Sequence, residues 1–229
     1  MDIFGGMLMK NDISIEIIAS GSTGNATLIN NDILLDCGVP FKKIKPYYKN
    51  IKLVFISHVH GDHFNKTTIK KLAEERPTLR FAIGDYLVKD LVDCGVSKKN
   101  IDIIKQDKIY DYNLFKISPF ILYHDTPNMG IKIKLGTKKL IYATDTNRMN
   151  HIVAKNYDIY LIEANYENDE ELAQRKSDKL LTGEYSYEDR VKETHLSKVQ
   201  ATEWLMKNMG ENSKYIFMHE HREVKDEKN

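Results

Sequence analysis

The chain contains the stretch His58-Val59-His60-Gly61-Asp62-His63, which places three histidines and one aspartate within six positions. It comes one residue after Leu53–Ile56, a continuous apolar run that is typical of a strand buried on both faces. The first two histidines can point the same way as the chain leaves this strand. We expect Gly61 to let the backbone fold back, so that the aspartate and the last histidine face a second point. A set of several imidazoles with one carboxylate favours zinc, manganese or iron, because calcium takes oxygen ligands, so the stretch predicts a site for one of these metals.

The segments around this stretch alternate between short β-branched strands, turns and helices. The predicted strands are Ile13–Ala19, Ala26–Ile29, Ile33–Asp36, Leu53–Ile56, Leu79–Ile83, several between Ile101 and Tyr142, and Asp158–Glu163. The predicted helices of the first half are Lys66–Glu75 and Tyr86–Val92. The pattern favours an α/β fold.

The last third of the chain begins with a charged segment, residues 165–194, that is poor in apolar residues and helix-prone. We interpret it as a helical insertion in a single domain of residues 1–229. Long insertions tend to be lids or contacts, so we expect it to form a rim of the active site or a homodimer surface. Ser197–Met209 is predicted as a helix that begins with a capping box, and Tyr215–Met218 as a strand that runs into His219.

The histidine-rich stretch resembles the H-x-H-x-D-H signature of the metallo-β-lactamase superfamily. The resemblance implies an αββα sandwich of two mixed β-sheets flanked by helices, and a hydrolase that binds two divalent metal ions. Zinc is the expected metal, with manganese or iron as alternatives. The implied metal ligands are His58, His60, Asp62, His63, His124, Asp145 and His219. In this arrangement His58, His60 and His124 would hold one ion. The second ion would be held by Asp62, His63 and His219, and Asp145 would bridge the two ions.

Two further features resemble the phosphodiesterases of this superfamily. The turn Ser20–Asn25 is similar to the N-terminal turn of small bacterial exonuclease-like members, and His195 precedes a helix as does a catalytic histidine of ribonuclease Z and its relatives. The resemblance implies that a water activated by the metals attacks the substrate. Asp62 would orient or deprotonate that water, and His195 would protonate the leaving group or stabilise the oxyanion.

Several residues near the predicted site leave alternatives open. His221 follows the last ligand closely and could replace or assist His219. We expect Asp36 to orient a ligand histidine from behind, and Asp125 to be a turn residue or to support a ligand. Cys37 is expected to be a small buried residue. Phe41–Tyr48, with its three lysines, is interpreted as a solvated amphipathic helix in preference to a nucleic-acid patch.

Composition limits the partners and the cellular location. With 34 basic and 33 acidic side chains the net charge is +1, which argues against a dedicated polyanion binder. Two cysteines predict no disulfide framework and a cytoplasmic protein. Met1–Lys10 lacks the pattern of a signal peptide, and no apolar run is long enough to predict a membrane span.

The resulting hypothesis is a two-metal phosphodiesterase that cleaves nucleotide phosphodiester bonds, in small or cyclic nucleotides or at nucleic-acid ends. A DNA or RNA exonuclease is the narrower alternative. A hydrolase acting at carbon, on a thioester, lactone or lactam, could use the same metals. A binding protein that has kept the fold is the fourth possibility.

Overall fold

The computed structural model describes residues 13–220, which form twelve strands and six helices. The six strands of the first sheet are β1 Ile15–Ala19, β2 Ala26–Ile29, β3 Ile33–Leu35, β4 Leu53–Ile56, β5 Arg80–Ile83 and β6 Ile101–Ile103. Those of the second sheet are β7 Tyr110–Asp111, β8 Lys116–Leu122, β9 Asn128–Leu135, β10 Lys138–Ala143, β11 Ile159–Glu163 and β12 Lys214–Met218. The helices are α1 Phe41–Ile44, α2 Lys66–Glu75, α3 Val88–Asp93, α4 Asp169–Thr182, α5 Glu188–Thr194 and α6 Lys198–Asn208. Two predictions, the absence of a signal-peptide pattern in Met1–Lys10 and His221 as an alternative ligand, concern residues outside the described range.

Both sheets are mixed. The first has the order β1-β2-β3-β4-β5-β6 and is parallel from β3 onward. The second has the order β12-β11-β10-β9-β8-β7, and its parallel part comprises β10, β11 and β12. Strands β8 and β10 both run antiparallel to β9, so all four strands β8, β10, β11 and β12 end at the same edge.

Apolar side chains pack in three layers. The middle layer joins the inner faces of the two sheets, for example through Phe55 and Leu161, which are both fully buried. The outer face of the first sheet is covered by α1, α2 and α3, and that of the second by α6 with Trp204. Each aliphatic side chain buried in this way stabilises the fold by about 1.5–3 kcal/mol. The layers confirm the predicted αββα sandwich.

Local sequence signals account for the positions of α2, α3 and α6. Helix α2 begins at Asn65, whose side chain accepts a hydrogen bond from the Thr68 N–H, and has the predicted bounds. The capping box of Ser197 and Gln200 at the start of α6 is confirmed. The predicted helix Tyr86–Val92 is divided into a 3₁₀ turn, Asp85–Leu87, and α3.

The segment Phe41–Tyr48 has the predicted amphipathic character, with its three lysines exposed, but its α-helix is shorter than predicted. Only Phe41–Ile44 is α-helical, and Ile44 is fully buried. The aromatic side chains pack against the apolar layer between the first sheet and its helices. Phe41 and Tyr48 contact each other edge to face, with 5.4 Å between ring centroids. The aromatic rings are therefore half-buried against the core, which argues further against a nucleic-acid patch here.

Within residues 13–220 we find no helix with the length and apolar character needed to cross a membrane. Both cysteines are free and buried, consistent with the predicted absence of a disulfide framework.

Candidate metal centre

The buried carboxylate of Asp36 fixes from behind the segment His58–His63, which we call the metal-ligand loop. Its Oδ1 accepts a hydrogen bond from the Ser57 N–H at 2.8 Å, and its Oδ2 lies 2.7 Å from Nδ1 of His63. The Tyr142 hydroxyl, which comes from the other sheet, donates to the same Oδ2 at 2.7 Å. Because Nδ1 of His63 donates to this carboxylate, its Nε2 presents a lone pair to the site. The orienting role predicted for Asp36 matches this geometry.

Backbone contacts fix the other side of the loop, but not through Gly61. The chain does turn at Gly61, but a Cβ on this glycine would meet no atom within 4 Å and its backbone is not left-handed. The sterically constrained residue is Gly38, where a Cβ would lie 1.6 Å from the Asp62 carbonyl oxygen. The loop thus depends on a glycine that is distant in sequence.

The first group of predicted ligands brings together His58, His60 and His124, with donor atoms that all lie within 4.8 Å of one another. Nε2 of His124 lies 3.2 Å from Nδ1 of His60, while its Nδ1 contacts the Thr194 carbonyl oxygen at 3.0 Å. Since a carbonyl can only accept, Nδ1 of His124 carries the hydrogen and Nε2 is free to bind a cation.

The second group brings together Asp62, His63 and His219, again with donor atoms within 4.8 Å of one another. Nε2 of His219 is 3.1 Å from Asp62 Oδ2. Asp145 lies between the two groups, with Oδ2 3.0 Å from Nε2 of His63 and Oδ1 3.9 Å from Nε2 of His124. All seven predicted ligands therefore meet at one place.

The donor set fits divalent metal ions, as an unpaired buried atom shows. His58 is fully buried, and its Nε2 has no hydrogen-bond partner among the described residues. A buried polar atom without a partner costs about 1–3 kcal/mol, so its position against other ligand atoms points to a cation. Burial lowers the pKa of His58 to about 2, so this imidazole is neutral and can act as a ligand.

Three of the residues that border the site have strained backbones. Asp36, Asp145 and His219 have φ angles of 58°, 57° and 55°, and each directly follows or closely follows the end of a strand. Non-glycine residues in this left-handed region cost of the order of 1–3 kcal/mol and cluster at functional sites. The bends turn these side chains from the sheet edge towards one another.

The structure also places His195 in the site and reveals a partner that sequence analysis missed. Nδ1 of His195 lies 2.6 Å from Oε1 of Glu163, a fully buried carboxylate at the end of β11. The other carboxylate oxygen of Glu163 accepts from the Thr146 N–H at 2.8 Å. Burial opposes protonation of His195, but the charge and hydrogen bond of Glu163 outweigh it and raise the pKa to about 9. With Nδ1 bound to Glu163, Nε2 is the atom available to a substrate.

Asn25 is a second residue that sequence analysis did not single out. Its amide nitrogen lies 3.2 Å from Asp62 Oδ2 and 2.9 Å from Nε2 of His63. Its backbone N–H donates to the Asp62 carbonyl oxygen at 2.6 Å. Asn25 ends the Ser20–Asn25 turn, which was recognised only as a family resemblance. The turn therefore positions the second ligand group.

A cavity of about 350 Å³ opens onto both ligand groups. It is lined by Ser22, His60, Asp62, His124, Asp125, Asp145, Asn165, Tyr187, Arg190, Val191, Thr194, His195 and His219. Four of these come from α5 and the residue before it, so the charged segment borders the cavity. That this segment is also a homodimer surface stays a prediction. Such a surface would cover the apolar side chains of Leu181 and Tyr185, which are 83% and 86% exposed.

The remaining candidates near the site have ordinary roles. Asp125 places Oδ1 3.3 Å from Nε2 of both His60 and His124, so it supports this group from the cavity side. Burial and the charge of Asp36 raise the pKa of the Cys37 thiol, which is therefore unsuited to ligation as a thiolate. His151 lies on the surface, where Nε2 contacts the Ile121 carbonyl oxygen at 3.0 Å.

Comparisons of sequence agree with this geometry. Residues 31–219 match the profile of the family described as "Beta-lactamase superfamily domain". The chain is 38% identical over 55 residues to the cytidine monophosphate-N-acetylneuraminic acid hydroxylase of Sus scrofa, covering 23% of this chain and 13% of that protein. It is 28% identical over 127 residues to the ribonuclease Z of Ignicoccus hospitalis, covering 48% and 42%. The matches thus span less than half the length of either relative.

Comparisons of structure show the same fold at low sequence identity. The metallo-β-lactamase fold protein YhfI from Bacillus subtilis superimposes with a TM-score of 0.70 at 16% identity, over 93% of this chain and 88% of that one. The short form of human tRNase Z gives 0.65 at 13%, over 91% and 92%. Zn²⁺-bound PqqB from Methylobacterium extorquens gives 0.62 at 12%, over 90% and 88%. The chain therefore belongs to the β-lactamase superfamily and has the metallo-β-lactamase fold.

Proposed function

We propose that this protein is a two-metal phosphodiesterase that cleaves nucleotide phosphodiester bonds. The superfamily includes ribonuclease Z, which is a hydrolase, and the chain has His/Asp clusters that could bind metal. The observation that carries the choice of phosphodiesters is His195, which faces the same cavity as the ligands and is paired with a buried carboxylate. A protonated imidazole at this place suits a reaction whose leaving group is a poorly stabilised alkoxide.

Each ligand group would hold one divalent ion, with Asp145 between the two. Zinc fits the mixed nitrogen and oxygen donors, and manganese or iron are the alternatives. When bound, the ions would lower the pKa of a water molecule and stabilise charge on the attacked group.

The protein side chains provide the remaining chemistry. Asp62 lines the cavity, and its Oδ2 lies 3.1 Å from Nε2 of His219. From this position the carboxylate would orient or deprotonate an attacking water. His195 carries a proton on each ring nitrogen near neutral pH, because its pKa is raised to about 9. Nδ1 stays bound to Glu163, so Nε2 can donate its proton to the leaving oxygen or bind the oxyanion of the transition state.

The size of the cavity is compatible with a nucleotide. Its volume of about 350 Å³ is in the range of small-molecule sites. The cavity is bordered by α5, which closes one side of the cleft, while the other side is formed by the metal-ligand loop. This shape suits a small or cyclic nucleotide, or the end of a nucleic-acid strand.

The experiment that tests this function is an assay of the metal-loaded protein against a panel of substrates. The panel contains bis(p-nitrophenyl) phosphate, cyclic nucleotides, labelled DNA and RNA, and a set of thioesters. We expect hydrolysis of phosphodiesters that depends on added divalent metal. Turnover of the thioesters without turnover of any phosphodiester would replace the proposal by the carbon-centre hydrolase.

A further inference from the structure

Besides its histidines, the cavity has one basic side chain among the described residues. Of its described lining residues, three are aspartates and Arg190 is the single lysine or arginine. The side chain of Arg190 is 67% exposed, at the rim formed by α5. A cleft that receives a phosphodiester needs positive charge beyond the metal ions, because the bound phosphate keeps its own negative charge.

Arg190 forms a weak ion pair with Asp125. Its Nε lies 3.2 Å from Asp125 Oδ2, and Nη2 contacts the same oxygen. Both donors use one carboxylate oxygen, so the two-oxygen fork that makes arginine pairs strong is not formed. Exposed ion pairs of this kind contribute little to stability, which leaves the guanidinium free to exchange one anion for another.

The position of Asp125 links this pair to the metal-ligand groups. Its other oxygen, Oδ1, is 3.3 Å from Nε2 of His60 and 3.3 Å from Nε2 of His124. Arg190 therefore lies one carboxylate away from the first ligand group. A phosphate placed at this group would have two oxygens to offer to the guanidinium, where Asp125 now offers one.

We propose that Arg190 forms a phosphate-binding subsite of the cleft, and that it leaves Asp125 to bind a phosphate group of a nucleotide ligand. The inference rests on the proposed function for its choice of ligand. Tyr187 directly precedes α5 and borders the same cavity, and the Lys179 ammonium lies 3.8 Å from the centroid of its ring. We expect this ring to contact the base of the nucleotide. Together Tyr187 and Arg190 would make the start of α5 the nucleotide-recognising wall of the site.

The test compares 5′-AMP with adenosine as ligands of the metal-loaded protein, by calorimetry, in the wild type, Arg190→Ala and Lys192→Ala. Lys192 is the matched control, since it lies on the same helix, pairs with Asp169 and does not line the cavity. We expect the wild type to bind 5′-AMP more tightly than adenosine. Arg190→Ala should weaken 5′-AMP binding by about 10- to 100-fold and leave adenosine binding and metal content unchanged.

Three results would overturn the proposal. The first is that the wild type binds 5′-AMP and adenosine with equal affinity. The second is that Arg190→Ala weakens adenosine binding as much as 5′-AMP binding, and the third is that Lys192→Ala weakens 5′-AMP binding as much as Arg190→Ala does. The last two would show that Arg190 only fastens α5. These affinities are measured without turnover, so they test the subsite independently of catalysis. If the wild type hydrolysed no phosphodiester, the proposed function would be contradicted, and the affinities would still decide whether Arg190 binds phosphate.

Discussion

The metal-ligand loop and the segment that contains α4 and α5 face each other across one cavity, but different forces hold them. Buried hydrogen bonds to Asp36 and close backbone contacts at Gly38 fix the loop. Helices α4 and α5 are joined by ion pairs such as Lys176–Asp189, whose side chains are 39% and 76% exposed, and Lys179–Glu188, in which Glu188 is buried. Hydrogen bonds to the Glu193 and Thr194 carbonyl oxygens connect the segment to the rest of the fold. We infer that the loop is the more rigid wall of the site and the helical segment the more adjustable one.

This difference suits a metal-dependent site that must also select a substrate. Ligand geometry requires atoms that are fixed to within a fraction of an ångström, which buried groups achieve. Substrate recognition tolerates movement, and exposed charged side chains exchange partners at low cost. His195 lies at the junction, since it ends α5 but is held by Glu163 of β11. The following variants test how far the two walls differ.

Asp145→Ala should have the largest effect, because this residue lies between both ligand groups. We expect two ions per chain in the wild type and at most one in the variant. Turnover should fall by more than the roughly 10⁴-fold that loss of a general acid can cause. Elemental analysis after reconstitution measures the metal, and recovery of at most one ion by the wild type would contradict the two-metal site.

His195→Ala should lower turnover by roughly 10²–10⁴-fold, with unchanged metal content. The loss should shrink for a good leaving group such as p-nitrophenolate, since such a group needs little protonation. Rates on phosphodiesters with graded leaving groups measure this dependence. An equal loss throughout the series would indicate oxyanion stabilisation, and wild-type rates would remove His195 from the mechanism.

Gly38→Ala should destabilise the rigid wall by about 3 kcal/mol, at the upper end of the cost of overpacking. The added Cβ would overlap the Asp62 carbonyl, so the ligand loop must shift. Gly61→Ala is the matched control within the loop itself, and we expect its free energy of unfolding to change by less than about 1 kcal/mol. Urea denaturation of both variants measures the difference, and equal effects would show that the loop is not fixed at Gly38.

Glu163→Gln should lower turnover by roughly 10- to 100-fold, by analogy with the loss of a carboxylate that orients a metal-binding histidine. The charge of Glu163 raises the pKa of His195 to about 9 in spite of burial. A protonated His195 is therefore present below this pH and lost above it. Without the carboxylate charge the pKa falls, so the alkaline limb of the pH–rate profile should move to lower pH. An alkaline limb that stays in place would separate Glu163 from the protonation of His195.

Lys176→Ala should have the smallest effect, because it removes an exposed ion pair between α4 and α5. We expect a loss of about 0.2–1 kcal/mol in the free energy of unfolding, reduced further by salt. Denaturation at low and high ionic strength measures it. A loss above about 2 kcal/mol, insensitive to salt, would mean that the helical segment is as firmly held as the ligand loop.

Short-range patterns were enough to predict much of the scaffold. Helix α2 and strands β2 and β4 have the bounds expected from apolar spacing, and the capping box at Ser197 specifies the start of α6. These elements are decided by neighbouring residues and by which face is apolar. At Phe41–Tyr48 the predicted amphipathic pattern is confirmed, because the lysines are exposed and Ile44 is buried, but the α-helix is shorter than predicted and ends at Ile44.

The sequence by itself predicted a metal site at His58–His63, and the family resemblance supplied the other candidate ligands and the fold. Only the tertiary structure decided which distant groups support those ligands. Glu163 meets His195 across 32 positions, Asn25 meets Asp62 across 37, and Arg190 meets Asp125 across 65. No local pattern records such contacts, because they arise when parallel strands bring their carboxyl ends to one edge and the two sheets close face to face.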